Sequence, residues 1–267
     1  MTVNRSLYSR EIEESSVPPW TCGTCGLGTL RYVSKSYAYK EGTSKLYHGE
    51  DYFEPEFVRG RFQVFASCTN DRCEDIVTVS GAYQLQMDVE LDHLGVPRQT
   101  YVREHFVDHV APAPRMFAFS HDLPDSVVEN LERAFLLFWT DPASALNAAR
   151  TSIERALDEL GVRKYKLVTD RSVSNSGKRK RVFICLHERI GLLPKKYSAA
   201  KSALLASKWI GNSGAHGSDL DDEHVLDCFD IAEHGLNLLF DKGSERVVSL
   251  IDRVNKKRGP VKSSKKR

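Results

Sequence analysis

The stretches Cys22-Gly-Thr-Cys25 and Cys68-Thr-Asn-Asp-Arg-Cys73 place four cysteines as two close pairs, separated by 42 intervening residues. Thiolates two to four residues apart can reach one tetrahedral ion from a tight turn, and two such turns at neighbouring strand tips close a four-cysteine cage. Gly23 and Gly26 flank the first turn, where positive φ is often required. The second pair is less regular, since four residues separate its cysteines. The spacing predicts a structural Zn²⁺ site in a zinc-ribbon-like fold.

Disulfides or unrelated buried thiols are the alternatives to a metal site. No apolar stretch near the N-terminus resembles a secretion signal, so we expect a cytoplasmic, reducing location in which disulfides are rare. A site with four protein ligands has no open position for water or substrate, so it organises a fold without indicating a reaction. Cys185 and Cys228 lie singly in apolar stretches and are predicted to be buried, inert thiols.

The composition is that of an ordinary globular protein. The chain has 267 residues, of which 41% are hydrophobic and 28% charged, which is long enough for two modest domains. No apolar run approaches the roughly 18 residues of a membrane span, so we expect no membrane association. Residues 256–267 carry seven basic and no acidic residues. We predict that this basic tail is disordered, and either contacts a polyanion weakly or is simply solvated.

Alternation of apolar and polar residues predicts an antiparallel β domain in the first part of the chain. Strands are predicted over residues 30–39, 62–66, 76–79 and 83–91, with a less regular strand over residues 102–110. Two prolines in Ala111-Pro-Ala-Pro114 cannot continue a ladder and should end the sheet. We therefore predict a zinc-ribbon-like β domain with its linker at residues 1–115.

Beyond the linker the apolar spacing becomes helical. Pro124 opens a first predicted helix, and Asp141-Pro142 supplies an N-cap and a first-turn proline for a second, which ends at Gly161. Further helices are predicted over residues 186–193, 199–210, 225–240 and 244–254. The sequence thus predicts an α+β protein in which an up-and-down helical bundle at residues 116–255 follows the β domain.

The junction Lys208-Trp-Ile-Gly-Asn-Ser-Gly-Ala-His216 combines two glycines that release the backbone with Asn212 and a histidine that can move protons near neutral pH. It predicts a turn that holds His216 near the start of the helix over residues 225–240. A structural role, with Asn212 and His216 as a turn-fixing and capping pair, is the alternative to catalysis.

A family resemblance follows from this junction together with three helical stretches: Pro142-Ala-Ser-Ala-Leu-Asn-Ala-Ala-Arg150, Ile153-Glu-Arg-Ala-Leu157 and Leu186-His-Glu-Arg-Ile190. About residues 120–242 resemble the bacterial family called domain of unknown function 4145. That family is similar to the HEPN superfamily of helical bundles and is found beside restriction and anti-phage proteins. The resemblance implies a HEPN-like bundle and a homodimer formed through it. It also implies a setting in bacterial defence, where the protein could have a protein partner.

The same resemblance implies a candidate catalytic site. In active HEPN ribonucleases an arginine, followed four to six residues later by histidine, forms a composite site across a dimer, and the ribose 2′-hydroxyl is the nucleophile. Here Lys208 holds the arginine position, with seven residues between it and His216. His216 would be the general acid or base, near Asn212, while Lys208 or Arg150 would stabilise phosphate charge. Arg150 and Glu154 lie four residues apart on one helix face, from which both could approach His216. The alternative to this catalytic role is an ordinary i, i+4 ion pair.

The basic cluster Lys178-Arg179-Lys180-Arg181 follows the turn-like Ser174-Asn-Ser-Gly177 and predicts either a phosphate-contacting loop or an exposed hairpin. The Trp209 side chain is predicted to be either a platform on which bases stack or, as the favoured alternative, the core anchor of the helix over residues 199–210. Two functions follow: a zinc-containing module that binds RNA, DNA or a protein partner, and a metal-independent endoribonuclease. Because lysine lacks the planar fork of arginine, Lys208 favours the binding or accessory role. Walker loops and Gly-x-Ser-x-Gly elbows are absent from the sequence.

Overall fold

The computed structural model describes residues 3–169, 179–213, 221–241, 251 and 253–256. Within these residues, six strands precede the helices: β1 (Glu11–Ile12), β2 (Leu30–Tyr32), β3 (Ala38–Glu41), β4 (Arg59–Cys68), β5 (Ile76–Leu91) and β6 (Pro97–Ala111). The second part contains α1 (Asp125–Phe138), α2 (Pro142–Glu159), β7 (Tyr165–Thr169), β8 (Arg179–Phe183), α3 (Leu186–Gly191), α4 (Ser198–Ser213) and α5 (Asp222–Phe240). The α+β class predicted from the sequence is confirmed.

The first six strands form one antiparallel sheet in the order β1-β6-β5-β4-β2, and β3 pairs with the other end of β4. Alternate residues of the central strands share a buried face, because successive side chains of a strand point to opposite sides. Val64 of β4 and Val77 and Val79 of β5 lie at its centre, fully shielded from solvent. β6 ends at Ala111, directly before the first proline, as the sequence predicted.

Helix α2 is the central helix of the second part and follows its predicted pattern. Asp141 accepts a hydrogen bond from the Ser144 N–H (3.0 Å), Pro142 occupies the first turn, and Gly161 follows the helix end with a φ of +70°. Helices α1, α4 and α5 all pack against α2. Its buried apolar residues are Ala145, Leu146, Ala148, Ala149, Ile153, Ala156 and Leu157.

The sheet and the helices share one hydrophobic core. The ring of Trp20, which precedes the first cysteine turn, lies edge-on 5.1 Å from the ring of Trp139 at the end of α1. Tyr8 lies edge-on 6.4 Å from Phe138. Aromatic pairs in this geometry stabilise beyond the area that they bury. The contact between the two parts of the chain is therefore apolar and close-packed.

The N-terminal segment also ties the sheet to helix α5. Arg5 forms ion pairs with Asp227 (2.6 Å) and Asp230 (2.8 Å) of α5. Arg10, one residue before β1, makes a two-point contact with Asp222 in the first turn of the same helix. A planar guanidinium matches a carboxylate in this way, so the contact fixes orientation as well as charge.

Two helical predictions need comment. Helix α4 runs through Gly211 and Asn212 to Ser213, so the turn predicted for these residues is wrong. A Cβ at Gly211 would lie 3.7 Å from the Leu146 carbonyl oxygen, and this packing against α2 outweighs the low helix propensity of glycine. The predicted sixth helix, residues 244–254, lies mostly outside the described residues, and so does the basic tail. In the described ranges no helix is long and apolar enough to cross a membrane.

Candidate metal centre and basic hairpin

The two cysteine turns meet at one corner of the sheet, where β2 pairs with the end of β4. The Cys22 N–H donates to the Gly28 carbonyl (2.8 Å) and closes the first turn. The Cys68 N–H donates to the Asp75 carbonyl (2.9 Å) and closes the second. As a result, four sulfur atoms lie within 4.8 Å of one another, those of Cys22, Cys25, Cys68 and Cys73. These residues form a candidate metal centre.

The spacing of the sulfur atoms fits a tetrahedral ion. A Zn–S bond of about 2.3 Å gives an edge of about 3.8 Å between two sulfurs of a regular tetrahedron. The Cys25 and Cys68 sulfurs are 3.7 Å apart, and those of Cys22 and Cys73 are 3.9 Å apart. A disulfide would need about 2.05 Å, and all six cysteines are free. The donor set therefore suits one shared metal ion, and the prediction of a four-cysteine cluster is confirmed.

Backbone N–H groups face the sulfur atoms, as a thiolate requires. Those of Gly28 (3.4 Å) and Leu27 (3.5 Å) donate to Cys25 Sγ and lower the pKa of this thiol to about 6. The Asn70 N–H donates to Cys68 Sγ (3.4 Å), yet burial raises the pKa of the Cys68 thiol to about 12. A cation at the centre would offset this burial, because metal binding deprotonates its thiol ligands.

Two glycines make the first turn possible. Gly26 has a φ of +65°, which other residues rarely adopt, and the sequence predicted its role. Gly28 was not predicted. A Cβ at Gly28 would lie 2.5 Å from Cys68 Sγ, so a larger residue would push the sulfur out of the cluster. Its position three residues after Cys25 is the sequence signal that could have identified it.

The candidate metal centre borders the helices. The Arg115 N–H donates to the Thr21 carbonyl (3.0 Å), next to the first cysteine turn. The Arg115 side chain pairs with Glu132 of α1 (3.2 Å) and lies over the Phe119 ring, 4.7 Å from its centre. The first turn is therefore held between the sheet and helix α1.

The two remaining cysteines differ from each other. Cys228 is buried as predicted, and burial raises the pKa of its thiol to about 11. Cys185 is exposed, so the prediction of a buried thiol is wrong for this residue. The apolar stretch around it is real, but Ile184 and Leu186 occupy its buried positions and Cys185 is the N-cap of α3 between them.

Two of the predicted catalytic residues, Arg150 and Lys208, lie at the contact between α2 and α4. Arg150 and Glu154 form the i, i+4 ion pair expected for one helix face, with Nε and Oε1 3.6 Å apart. A Cβ at Gly211 would lie 3.8 Å from Arg150 Cβ. Lys208, three residues before Gly211 on the same side of α4, is only 9% exposed. The structure thus brings Arg150 and the inner face of α4 together.

The rest of the predicted junction is different. His216 lies outside the described residues, and only the helical backbone of Asn212 is described. Trp209 is 56% exposed, so the favoured prediction of a core anchor is wrong. Successive residues of a helix are ~100° apart around its axis. Because the Lys208 side chain faces inward, that of Trp209 faces outward. The Lys208 ammonium lies 3.5 Å from the centre of the Trp209 ring.

The predicted basic cluster is an exposed hairpin, one of its two expected forms. Arg179, Lys180 and Arg181 are consecutive, exposed residues of β8, which pairs with β7 in antiparallel register. Lys178 lies outside the described residues. The register sets Arg181 opposite Leu167. Because directly paired residues share a face, the arginines of β8 point to the same side as alternate residues of β7.

That side of the hairpin also carries two aromatic rings. Tyr165 of β7 pairs with Phe183 of β8, and their ring centres are 5.7 Å apart. Both are half exposed, and the Arg181 guanidinium lies 3.8 Å from the centre of the Tyr165 ring. Sequence reasoning did not single out these rings. The period-two spacing of Tyr165 with Leu167, and of Arg181 with Phe183, is the signal that could have found them.

Comparison with known families assigns each part of the chain separately. Residues 132–259 match the family described as Domain of unknown function (DUF4145). This match confirms the resemblance to that family drawn from the helical motifs, while the HEPN-like bundle stays a prediction. Residues 10–108, which include all four cysteines of the candidate metal centre, match a second family, described as Domain of unknown function (DUF8608). Each match covers less than half of the chain. No curated protein and no solved structure matches it.

Proposed function

We propose that the protein is a nucleic-acid-binding module in which four cysteines hold a structural Zn²⁺ and the β7–β8 hairpin contacts single-stranded RNA or DNA. The observation that carries this proposal is the exposed face of the hairpin, where Arg179 and Arg181 lie on the same side as the rings of Tyr165 and Phe183. An accessory role in bacterial defence belongs to the proposal and is supported by the family resemblance alone.

The charges of β8 are available for phosphate. Two acidic residues that border the hairpin are engaged by other cations: Glu188 pairs with Lys166 (2.8 Å) and Asp158 with Lys164 (2.7 Å). Within the described ranges, no carboxylate lies within ion-pair distance of the three basic residues of β8. Unpaired, exposed basic side chains in a row are suited to a polyanionic backbone, where they displace condensed counterions.

The two rings favour a single strand over a duplex. Phe183 is 54% exposed and Tyr165 43%, which is unusual for aromatic side chains that serve only as core. Unpaired bases stack on such rings, and each stack contributes about 1–3 kcal/mol. In a duplex the bases are already stacked on one another. The hairpin therefore combines a stacking platform with adjacent phosphate contacts.

The metal would organise the sheet without taking part in a reaction. Four thiolates at tetrahedral spacing fit Zn²⁺, and Cys22, Cys25, Cys68 and Cys73 would hold it. A bound ion supplies a cross-link between the two cysteine turns. The chain itself contributes the N–H groups of Gly28 and Asn70, which point to the sulfur atoms and offset their negative charge.

The test measures binding of fluorescent single-stranded RNA, single-stranded DNA and duplex DNA by anisotropy at several salt concentrations. The variant Arg179→Ala/Lys180→Ala/Arg181→Ala removes three charges, so we expect the slope of log affinity against log salt to become shallower by about 2. The control Arg31→Ala/Lys40→Ala/Lys45→Ala removes three exposed charges from the sheet domain and should leave the slope unchanged. Equal effects of the two triple variants would contradict the proposal.

A second variant separates stacking from charge. Tyr165→Leu retains an apolar side chain but removes the ring, so we expect affinity for single strands to fall about tenfold with an unchanged salt slope. Loss of duplex binding to the same extent would argue against stacking. In each case circular dichroism and bound-metal content establish that the variant is folded.

The ribonuclease remains a second candidate because of the contact between α2 and α4. Arg150 packs against Gly211, which precedes His216 by five residues along the chain. A cationic side chain at this place would suit a general acid or base on His216. The test incubates the protein with single-stranded RNA in the presence of chelator. Cleavage that His216→Ala abolishes, with binding retained, would establish the ribonuclease; uncut RNA bound by both proteins would support the binding module.

A further inference from the structure

Strands β5 and β6 continue far beyond the rest of the sheet. The pairing of β4 with β5 ends at Arg59 and Gln84, and β1 pairs with β6 only around His105. From Leu85 opposite Arg103 to Leu91 opposite Pro97, the two strands pair with each other and with no third strand; at the base, the Leu85 N–H also donates to the Val58 carbonyl (3.3 Å). We call residues 85–103 the arm. A two-stranded hairpin on its own is at best marginally stable in water. A partner that covers a face of the arm, or pairs with its open edge, would therefore stabilise it.

The two faces of the arm differ in polarity. One face carries Gln86, Asp88, Glu90, Arg98, Thr100, Val102 and Glu104 on and next to the arm. The other face is uncharged between its base and its tip, and its residues are Leu85, Met87, Val89, Leu91, Pro97, Gln99 and Tyr101. On this apolar face, Met87 is 46%, Val89 57% and Leu91 69% exposed. Leu85 and Tyr101, nearer the base, are half-buried, whereas Met87, Val89 and Leu91 leave a largely exposed apolar surface.

The few polar groups of the apolar face are satisfied within it. The Gln99 amide nitrogen lies 2.7 Å from the Tyr101 hydroxyl oxygen and 3.0 Å from the Met87 sulfur. At the base, Arg103 is engaged by the Tyr39 hydroxyl (2.9 Å). The main free-energy cost of covering a surface is the burial of an unpaired charge. An apolar partner could cover this face without that cost.

We propose that the apolar face of the arm docks against the same face of a second copy of this chain, related by a twofold axis. An uncharged face is complementary to itself, which is what a twofold interface requires. Met87, Val89 and Leu91 follow one another at every second position of β5, and a contiguous exposed apolar patch of this kind marks an interaction site. This pairing is independent of the proposed nucleic-acid binding and of any contact through the helices.

The test compares two valine-to-glutamate variants of the full chain. Val89→Glu places a charge on the apolar face, whereas Val102→Glu places the same charge on the opposite, polar face of the same arm. Sedimentation velocity over a hundredfold range of protein concentration reports the mass of the assembly. We expect Val89→Glu to halve this mass and weaken association by at least about tenfold, because each copy would then have to bury an unpaired charge in an apolar interface. Val102→Glu should match the wild type.

Three results would overturn the pairing. One is a wild-type protein that stays monomeric at every concentration, which would leave the arm to a different protein partner. Another is an assembly whose mass Val89→Glu does not change, since contacts elsewhere would then hold it together. The third is an equal loss of association in both variants. Circular dichroism of each variant shows that the fold is intact, and Val89→Ala, which shortens the side chain without adding charge, should weaken association less than Val89→Glu.

Discussion

The contact between Arg10 and Asp222 should contribute more to stability than its position near the N-terminus suggests. The guanidinium donates to both carboxylate oxygens of Asp222, from Nε at 2.5 Å and from Nη2 at 2.7 Å. It also donates to the carbonyls of Trp139 (2.7 Å) and Phe138 (2.9 Å), which end helix α1 and have no partner within that helix. One side chain thus joins the N-terminal segment, the end of α1 and the start of α5.

The expected magnitude follows from burial. Breaking a fully buried ion pair by removing one partner costs about 3–5 kcal/mol, whereas an exposed pair contributes about 0–1 kcal/mol. Arg10 and Asp222 are each 29% exposed, which is between these limits. Arg10→Ala should therefore lower the free energy of unfolding by about 2–3 kcal/mol. At roughly 2–4 °C per kcal/mol for a chain of this size, Tm should fall by about 5–10 °C.

Urea and thermal unfolding, followed by circular dichroism, measure this effect. Arg10→Lys keeps the charge but not the planar fork, so we expect it to lose roughly half as much stability as Arg10→Ala. Arg61→Ala removes the Arg61–Asp108 pair, whose side chains are 73% and 47% exposed, and is the matched control with an expected cost below about 0.5 kcal/mol. Equal destabilisation by Arg10→Ala and Arg61→Ala would refute the reasoning.

Three further changes test the metal centre, a helix cap and the sheet. Cys22→Ser should abolish stoichiometric metal binding, measured by elemental mass spectrometry, because a four-ligand cage loses one thiolate. Asp141→Ala should cost about 1 kcal/mol at neutral pH. Since hydrogen bonds from Ser144 hold the pKa of Asp141 below its usual range, that cost is complete above about pH 4 and decreases as acid protonates the carboxyl. Gly81→Ala should destabilise by more than about 2 kcal/mol, because its Cβ would lie 1.9 Å from the Phe106 carbonyl oxygen.

Each of these changes has a control in the same chain. Cys228→Ser alters a buried thiol outside the cluster and should retain the metal. Gly49→Ala introduces a Cβ with no atom within 4 Å and should cost little. For Asp141, urea unfolding at neutral and acidic pH gives the comparison. A cost of Asp141→Ala that stays constant into acid would show that the ionised carboxylate is not what stabilises the cap.

Local signals explain what could be predicted from the sequence. Helix α2 was predictable because the residues that set its two ends are next to them in the sequence: the N-cap and first-turn proline at its start, and the glycine after its end. The cysteine cluster was predictable because thiolate spacing within each turn is also local. The junction after Lys208 was not, since the packing of Gly211 against α2 decides whether the helix continues.

Contacts between distant parts of the chain were beyond sequence reasoning. Arg10 and Asp222 are separated by 212 positions, and neither has a neighbouring motif that indicates the other. The long arm was also missed, because the alternation over residues 83–91 predicts a strand but does not say whether a neighbour covers it. The exposure of Trp209 depended on the rotation of α4 about its axis, which follows from the packing of Lys208 and not from composition.

The position of the candidate metal centre bears on both parts of the chain. Trp20, two residues before the first metal-candidate cysteine, packs against Trp139, and Arg115 links the same turn to Glu132 of α1. Any ion that binds only the folded cysteine turns stabilises everything that unfolds together with them. Because the sheet and the helices share one core, metal bound in the sheet would stabilise the helices as well. The two family matches thus describe parts of the chain whose stabilities are coupled through these aromatic and ionic contacts.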